Sequence, residues 1–329
     1  MGGALLYAAH GSINYYFLNI IESLFVCAVD LFILITGYYM VNTQRRSIIK
    51  PIKLICQVIV FKLGIYVLMV ILGKTALSIK GLFGALLPDN YFVILYVALY
   101  FVSPYINIVM KSFSNHQRKK MMITVFLIFS VYAIIVDLLS DLKGETIIGL
   151  SSIGMFGSQG GYTIVNFALM YMIGAYIRMC EDDISKIGRG RIVLYLVVLV
   201  LLDAIWYLTF DYFQISDSTS HSYHNPIIVL LAVVSFILFK KIDLGQNKII
   251  NMLAKGSFTV FLLHSHFLPY IRIEYYVNKS LPKLALHIII SIVVIYLVCW
   301  VLFFVYERIT APIFKIIEKK HPKMTYTID

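Results

Sequence analysis

Apolar residues gather in nine stretches along this chain, near 19–40, 54–73, 91–110, 121–140, 162–179, 191–210, 225–239, 256–272 and 284–306. Most approach the roughly 20 residues, at about 1.5 Å of rise each, that cross a hydrocarbon layer about 30 Å thick. Lipid offers the backbone no hydrogen-bonding partner, so each stretch is expected to be helical. The two stretches between 225 and 272 are short and fit tilted or re-entrant helices equally well. The expected fold is all-α: a polytopic transmembrane helical bundle, forming a single membrane-embedded domain over residues 1–329.

Composition agrees. The chain is 60% hydrophobic and 14% charged, with a mean hydropathy of +0.86, and a soluble domain of this length needs far more polar surface. Lys and Arg then sharpen the topology. Twenty-one of the 28 fall in the gaps after the first, third, fifth, seventh and ninth stretches, six fall in the other gaps, and Lys62 lies inside a stretch. Cytoplasmic loops carry the basic excess. The alternation therefore predicts a multi-pass plasma-membrane protein with a cytoplasmic tail at 315–329 and an external N-terminal segment at about 1–18. The net charge of +11 follows from this rule and from anionic lipid at the inner surface; no nucleic-acid-binding motif accompanies it. An external Met1 is awkward, because residues 1–20 have none of the features of a signal peptide. Either the first helix inserts unaided, or a further helix precedes Met1.

Cys27, Cys56, Cys180 and Cys299 have no metal-ligand or disulfide spacing and are expected to be free thiols; no metal site is expected. The Gly-rich segment 154–161 follows no strand and matches no phosphate loop, so it is expected to be a flexible external loop.

Ionisable groups at membrane depth are costly and are candidates for chemistry. Asp137, Asp203 and Glu307 lie within reach of helix ends, where snorkelling or a neighbouring base suffices, and Lys62 fits a pairing role. The first helix differs. At about 100° per residue, Asp30 and Gly37 lie about 80° and 60° around from Glu22, so all three share a face expected to point into the bundle. His264 also lies near mid-membrane, and the two helices place it and Asp30 at similar depth. Packing and hydrogen bonding explain such residues as readily as catalysis does.

Four segments taken together change the picture. Residues 29–40 (VDLFILITGYYM), 90–107 (NYFVILYVALYFVSPYIN), 160–178 (GGYTIVNFALMYMIGAYIR) and 251–264 (NMLAKGSFTVFLLH) resemble, in order and spacing, the membrane-bound acyltransferase family 3. The likeness runs from about Asn19 to Glu307. These integral-membrane O-acyltransferases have a ten-helix core, and this chain matches from the second helix onward. The resemblance thus implies about nine helices present and a first one lacking. That first helix carries an Arg and, about ten residues later, a His expected to be the general base. His10 has no upstream Arg and does not take that role. Thr36 stands where the family usually has Ser before Gly37.

The resemblance implies transfer of an acyl group, usually acetyl from acetyl-CoA, to a hydroxyl of a surface or exported polysaccharide or a lipid-linked sugar. No cofactor would be permanently bound; acetyl-CoA would be the donor substrate. A base must take the hydroxyl proton during attack on the thioester, and donors must steady the oxyanion. Asp30, Thr36 and His264 are the candidate catalytic residues, Asp30 to pair or orient a base and His264 as a polar cavity group. Arg45, Arg46, Lys50 and Lys53 follow the first helix and suit CoA phosphates, although topology alone also explains them; Arg118–Lys120 competes on the same grounds. Two alternatives stand beside this reading. One is a transporter or flippase of lipid-linked sugars, whose inverted repeats of broken helices are not seen, since Pro104 and Pro269 do not correspond. The other is an inactive, N-terminally truncated acyltransferase.

Overall fold

The computed structural model describes residues 3–43, 45–243, 245–320 and 325–327. Sixteen helices run in order: α1 Ala4–Tyr7, α2 Ile13–Phe25, α3 Ala28–Met40, α4 Ile49–Ile71, α5 Ile79–Leu86, α6 Tyr91–Ser112, α7 Asn115–Phe126, α8 Ala133–Lys143, α9 Ile164–Met179, α10 Glu181–Ser185, α11 Arg189–Tyr212, α12 Pro226–Lys240, α13 Lys248–Ala254, α14 Ser257–Phe267, α15 Ile273–Tyr276 and α16 Leu281–Lys320. A π-helical turn, Leu127–Tyr132, joins α7 to α8. One antiparallel ribbon pairs β1 (Arg45–Ser47) with β2 (Thr325–Thr327).

Every apolar stretch lies on helix. Among the described residues, six spans are long and apolar enough to cross a membrane, and α9 and α12 are shorter apolar helices. The stretch at 256–272 holds only the 11 residues of α14 and a 3-10 turn. The stretch at 19–40 is broken: α2 ends at Phe25 and α3 starts at Ala28. Glu22, on α2, is half-buried, while Asp30 and Gly37, on α3, are buried.

Local chemistry sets several boundaries. Asn90 caps α6, Thr163 caps α9, and Asn225 caps α12 just ahead of Pro226; each side-chain oxygen accepts a hydrogen bond from a first-turn N–H that would otherwise have no partner. Ser114 and Gln117 form a reciprocal capping box at α7. Pro104, inside α6, cannot donate to the Tyr100 carbonyl, which would be intolerable in lipid. The Ser103 hydroxyl donates to that carbonyl instead, at 2.9 Å.

The chain forms two compact units. Among the described residues, unit 1 comprises 3–19, 45–89, 245–320 and 325–327, and unit 2 comprises 20–43 and 90–243. In unit 1, α14 packs on α16 and α4 on α5. Lys62 of α4 donates to Asp89 at 2.5 Å and to the Gly84 and Leu87 carbonyls at 3.0 and 2.8 Å, the pairing role expected of it. In unit 2, the central seam joins α3 to α9. A Cβ at Gly37 would stand 2.1 Å from the Tyr171 carbonyl oxygen, and one at Gly174 would stand 2.1 Å from that of Leu34. Two glycines thus let the backbones touch, as small residues do in membrane helix pairs.

Candidate functional site

Unit 2 has two chemically different ends. The C-termini of α3, α6, α9 and α12 meet at one of them. Asn107 donates to the Met40 carbonyl at 3.1 Å and accepts from the Tyr171 hydroxyl at 2.9 Å. Arg178 donates to Glu181 at 2.6 Å, Lys240 also donates to Glu181, and Tyr38 donates to it at 2.9 Å. Both cations lie over the Tyr38 ring, at 5.1 and 5.2 Å. The Lys240 hydrogen bond, helped by Tyr38 and Arg178, holds the Glu181 carboxyl below its usual range against the opposing effect of burial. Basic bursts following the third, fifth and seventh stretches thus share one end, as the alternation requires.

At the opposite end, carboxylates on helices clasp the loop ahead of α12. Asp137 of α8 accepts from the Ser158 hydroxyl and lies 3.2 Å from His224 Nε2. Asp141 accepts from the Ser218 N–H and hydroxyl at 2.8 and 2.7 Å. Asp203 of α11, fully buried, lies 3.4 Å from His221 Nε2, and the His221 ring stacks on Tyr207. The π-turn aims Ser130 at the same loop, where its hydroxyl donates to the His224 carbonyl at 2.7 Å. Asp137 stands between Ser158 and His224, so this trio is not a nucleophile–base–orienter chain, which needs the base in the middle. Tyr223 packs against Tyr162, which in turn packs against Tyr91. Burial, with Tyr91 and Tyr162 beside it, pushes the Tyr223 phenol well above its usual range.

The segment 154–161 is tied to this clasp at Ser158 and Gly160. The Gly160 carbonyl accepts from the Tyr223 N–H at 3.0 Å. Gly161 has φ +84°, and a Cβ there would stand 2.7 Å from the His224 nitrogen, so only glycine fits. A cavity of about 420 Å³ opens beside it.

Asp30 lies in the first turn of α3, away from the basic end. It is fully buried; its Oδ1 accepts from Asn166 Nδ2 at 3.0 Å. Asn166 sits in the first turn of α9, placed by the Thr163 cap. Among the described residues, Asp30 Oδ2 and Asn166 Oδ1 are buried acceptors with no hydrogen-bond donor. Buried acceptors in this condition are costly, and among the described residues both oxygens of Asp203 at the clasped end share it.

The other sequence-based candidates lie elsewhere or are already engaged. The Thr36 hydroxyl, in unit 2, donates to the Phe32 carbonyl of its own helix at 2.9 Å. His264 belongs to unit 1, half-buried, with Nδ1 at 3.0 and 2.9 Å from the Val260 and Phe261 carbonyls one turn back. In unit 1 also, Arg45 and Arg46 lie on β1, the Arg45 side chain being outside the described residues. Arg46 is 1% exposed. Lys50 is exposed. Lys53 is paired with Glu318 at 2.8 Å and lies over the Phe314 ring. No group of three or more potential metal ligands converges among the described residues.

The clasp is what sequence reasoning missed. Asp137 and Asp203 look like isolated helix-end acids when each helix is read alone. The available signal was composition: two membrane-depth aspartates without a nearby Lys or Arg, and a Ser- and His-rich run at 216–224 with no other assigned task.

The helices and their caps define a multi-pass integral-membrane protein built as a helical bundle. An acyltransferase-domain family model, that of acyltransferase family 3, matches residues 4–304, and the chain belongs to that family. No curated protein and no solved structure matches it.

Proposed function

We propose that the chain transfers an acyl group, acetyl from acetyl-CoA, to a hydroxyl of a cell-surface or exported polysaccharide, or of its lipid-linked precursor. The family match over residues 4–304 carries the acyl-transfer part. The buried Asp30–Asn166 pair, in the first turns of α3 and α9, supports a site there. In this reading, the Asp30 carboxylate takes a hydrogen bond through Oδ2 from a base or from the attacking hydroxyl. Asn166 fixes its other oxygen and so its orientation. A weakly acidic sugar hydroxyl needs a base aligned in this way to attack a thioester. Thr36 contributes through helix geometry, since its hydroxyl is committed to Phe32, and His264 remains a cavity group of unit 1.

The CoA phosphates would meet the basic face around β1. Lys50 is the exposed cation there, while Lys53 would exchange Glu318 for a phosphate. Arg45 and Arg46 would act through the ribbon, Arg46 from a buried position. The membrane is the plasma membrane in this proposal, with the basic ends of the helices cytoplasmic.

The test is radiolabelled acetyl transfer by the full chain in native membranes, from acetyl-CoA to the host's extracted glycans. Asp30→Ala should lower transfer by about 100-fold or more, with unchanged membrane insertion. Wild-type activity in that variant would remove Asp30 from the site, and no transfer by the unaltered protein would sink the proposal.

A further inference from the structure

The cavity of about 420 Å³ at the clasped end of unit 2 falls within the roughly 300–1,000 Å³ typical of small-molecule clefts. Its lining is specific in chemistry. Asp137, Asp141 and Glu145 contribute carboxylates, five Ser and Thr residues contribute hydroxyls, and Phe156 and Tyr162 supply aromatic rings. No Lys, Arg or His lines it. Lys143 pairs with Glu145 at 3.3 Å, itself largely exposed, so the lining stays net negative. Gln159, also on the wall, has φ +53°. A non-glycine residue in the left-handed region is strained, and such strain persists where the surroundings impose it; here Ser158 is tied to Asp137 and Gly160 to Tyr223.

Acceptors and hydroxyls lining one cavity together with aromatic rings match one ligand class. Polyhydroxylated rings donate to carboxylates from their edges and lay their C–H faces on aromatic side chains. The sign of the lining then selects within that class. A uronate or phosphosugar would bring further negative charge against three carboxylates, a repulsion that salt reduces. An amino group would be favoured.

We propose that this cavity binds a neutral or amine-bearing saccharide unit and rejects anionic ones. Tyr162 immediately precedes the Thr163 cap of α9 and Asn166 lies in that helix's first turn. One wall of the cavity therefore adjoins the start of the helix that carries Asn166. The inference rests on the acyl-transfer reading for its role as acceptor site, but binding itself does not depend on it.

The test is isothermal titration of the full chain in nanodiscs, without acetyl-CoA, using size-matched trimers of glucose, glucosamine and galacturonate. The glucose or glucosamine trimer should bind at least about 10-fold more tightly than the galacturonate trimer. Ser216→Trp, at an exposed wall position, should abolish that binding without lowering Tm. Glu145→Gln should narrow the preference for glucosamine over galacturonate. Equal galacturonate binding, no binding of any trimer, or binding indifferent to Ser216→Trp would overturn the site. Calcium in place of the trimers tests a carboxylate-cation alternative, and calcium binding lost in Ser216→Trp with no saccharide binding would also overturn it. Binding without acetyl transfer would sink the acyl-transfer reading and leave the site standing; acetyl transfer without binding would do the reverse.

Discussion

The two ends of unit 2 are held by opposite strategies. At the basic end, Arg178, Lys240 and Tyr38 gather on Glu181 near the surface, with side chains 27–42% exposed for the two cations. At the clasped end, Asp203, His224, Thr219 and Asn225 are fully buried, and the Ser130 and Asn225 side chains donate to loop carbonyls. Exposed ion pairs contribute little, with a median of about 0–1 kcal/mol. Buried polar contacts are costly to break on one side, because the remaining partner loses its hydrogen bonds without regaining water. The basic end can therefore vary its contacts cheaply, which suits charges whose first task is orientation in the membrane. The clasped end is fixed, which suits a site that must hold its shape.

Both ends depend on the α3–α9 seam, so the largest effect is expected there. Gly174→Leu would force the helices apart, since even a Cβ meets the Leu34 carbonyl at 2.1 Å. The expected loss is on the order of 4 kcal/mol or more, read as failure to accumulate in membranes or a collapsed Tm in detergent. Normal accumulation and Tm would show that the seam is not what aligns the two ends. Next comes His224→Ala, which leaves Asp137 facing only Ser158 inside a buried site. A destabilisation of about 3 kcal/mol is expected from losing one partner of such a contact, measured by thermal unfolding in detergent. A change within about 0.5 kcal/mol, the scale of ordinary surface substitutions, would erase the contrast between the ends.

Much of the architecture was legible in the sequence because lipid enforces it. A long apolar stretch in a membrane can only be helix, and the Lys/Arg alternation maps onto one end of unit 2 through Arg178 and Lys240. The break at Val26–Cys27 was not legible, since neither Pro nor Gly marks it. Burial of Asp30 followed correctly from the cost of a carboxylate in lipid. Its partner Asn166, 136 residues away, could not follow from periodicity, which orders residues along one helix only. The clasp was hidden for the same reason: Ser130 meets His224 across 94 residues, and a polar loop between apolar stretches reads as filler. His264 and Thr36 show the converse. Each looks like a cavity group by type, yet each bonds the carbonyls of its own preceding turn, the local alternative open to any polar side chain in a helix.

The smallest effect belongs to Glu181, and its pH dependence sharpens the comparison. Lys240, Tyr38 and Arg178 depress its carboxyl below the ordinary value, so the ionised form is favoured by folding. That contribution is present above the unfolded carboxylate pKa, about 4.3, and is lost as pH falls through the lower folded value. Glu181→Gln should thus lower Tm slightly at pH 7, by an amount corresponding to under about 1 kcal/mol for an exposed pair. The gap between variant and parent should close below about pH 4 and shrink in high salt. A gap that widens on acidification would reverse the assigned sign. A gap as large as that of His224→Ala would mean the basic end is as rigidly held as the clasped one, and orientation could then no longer be its first task.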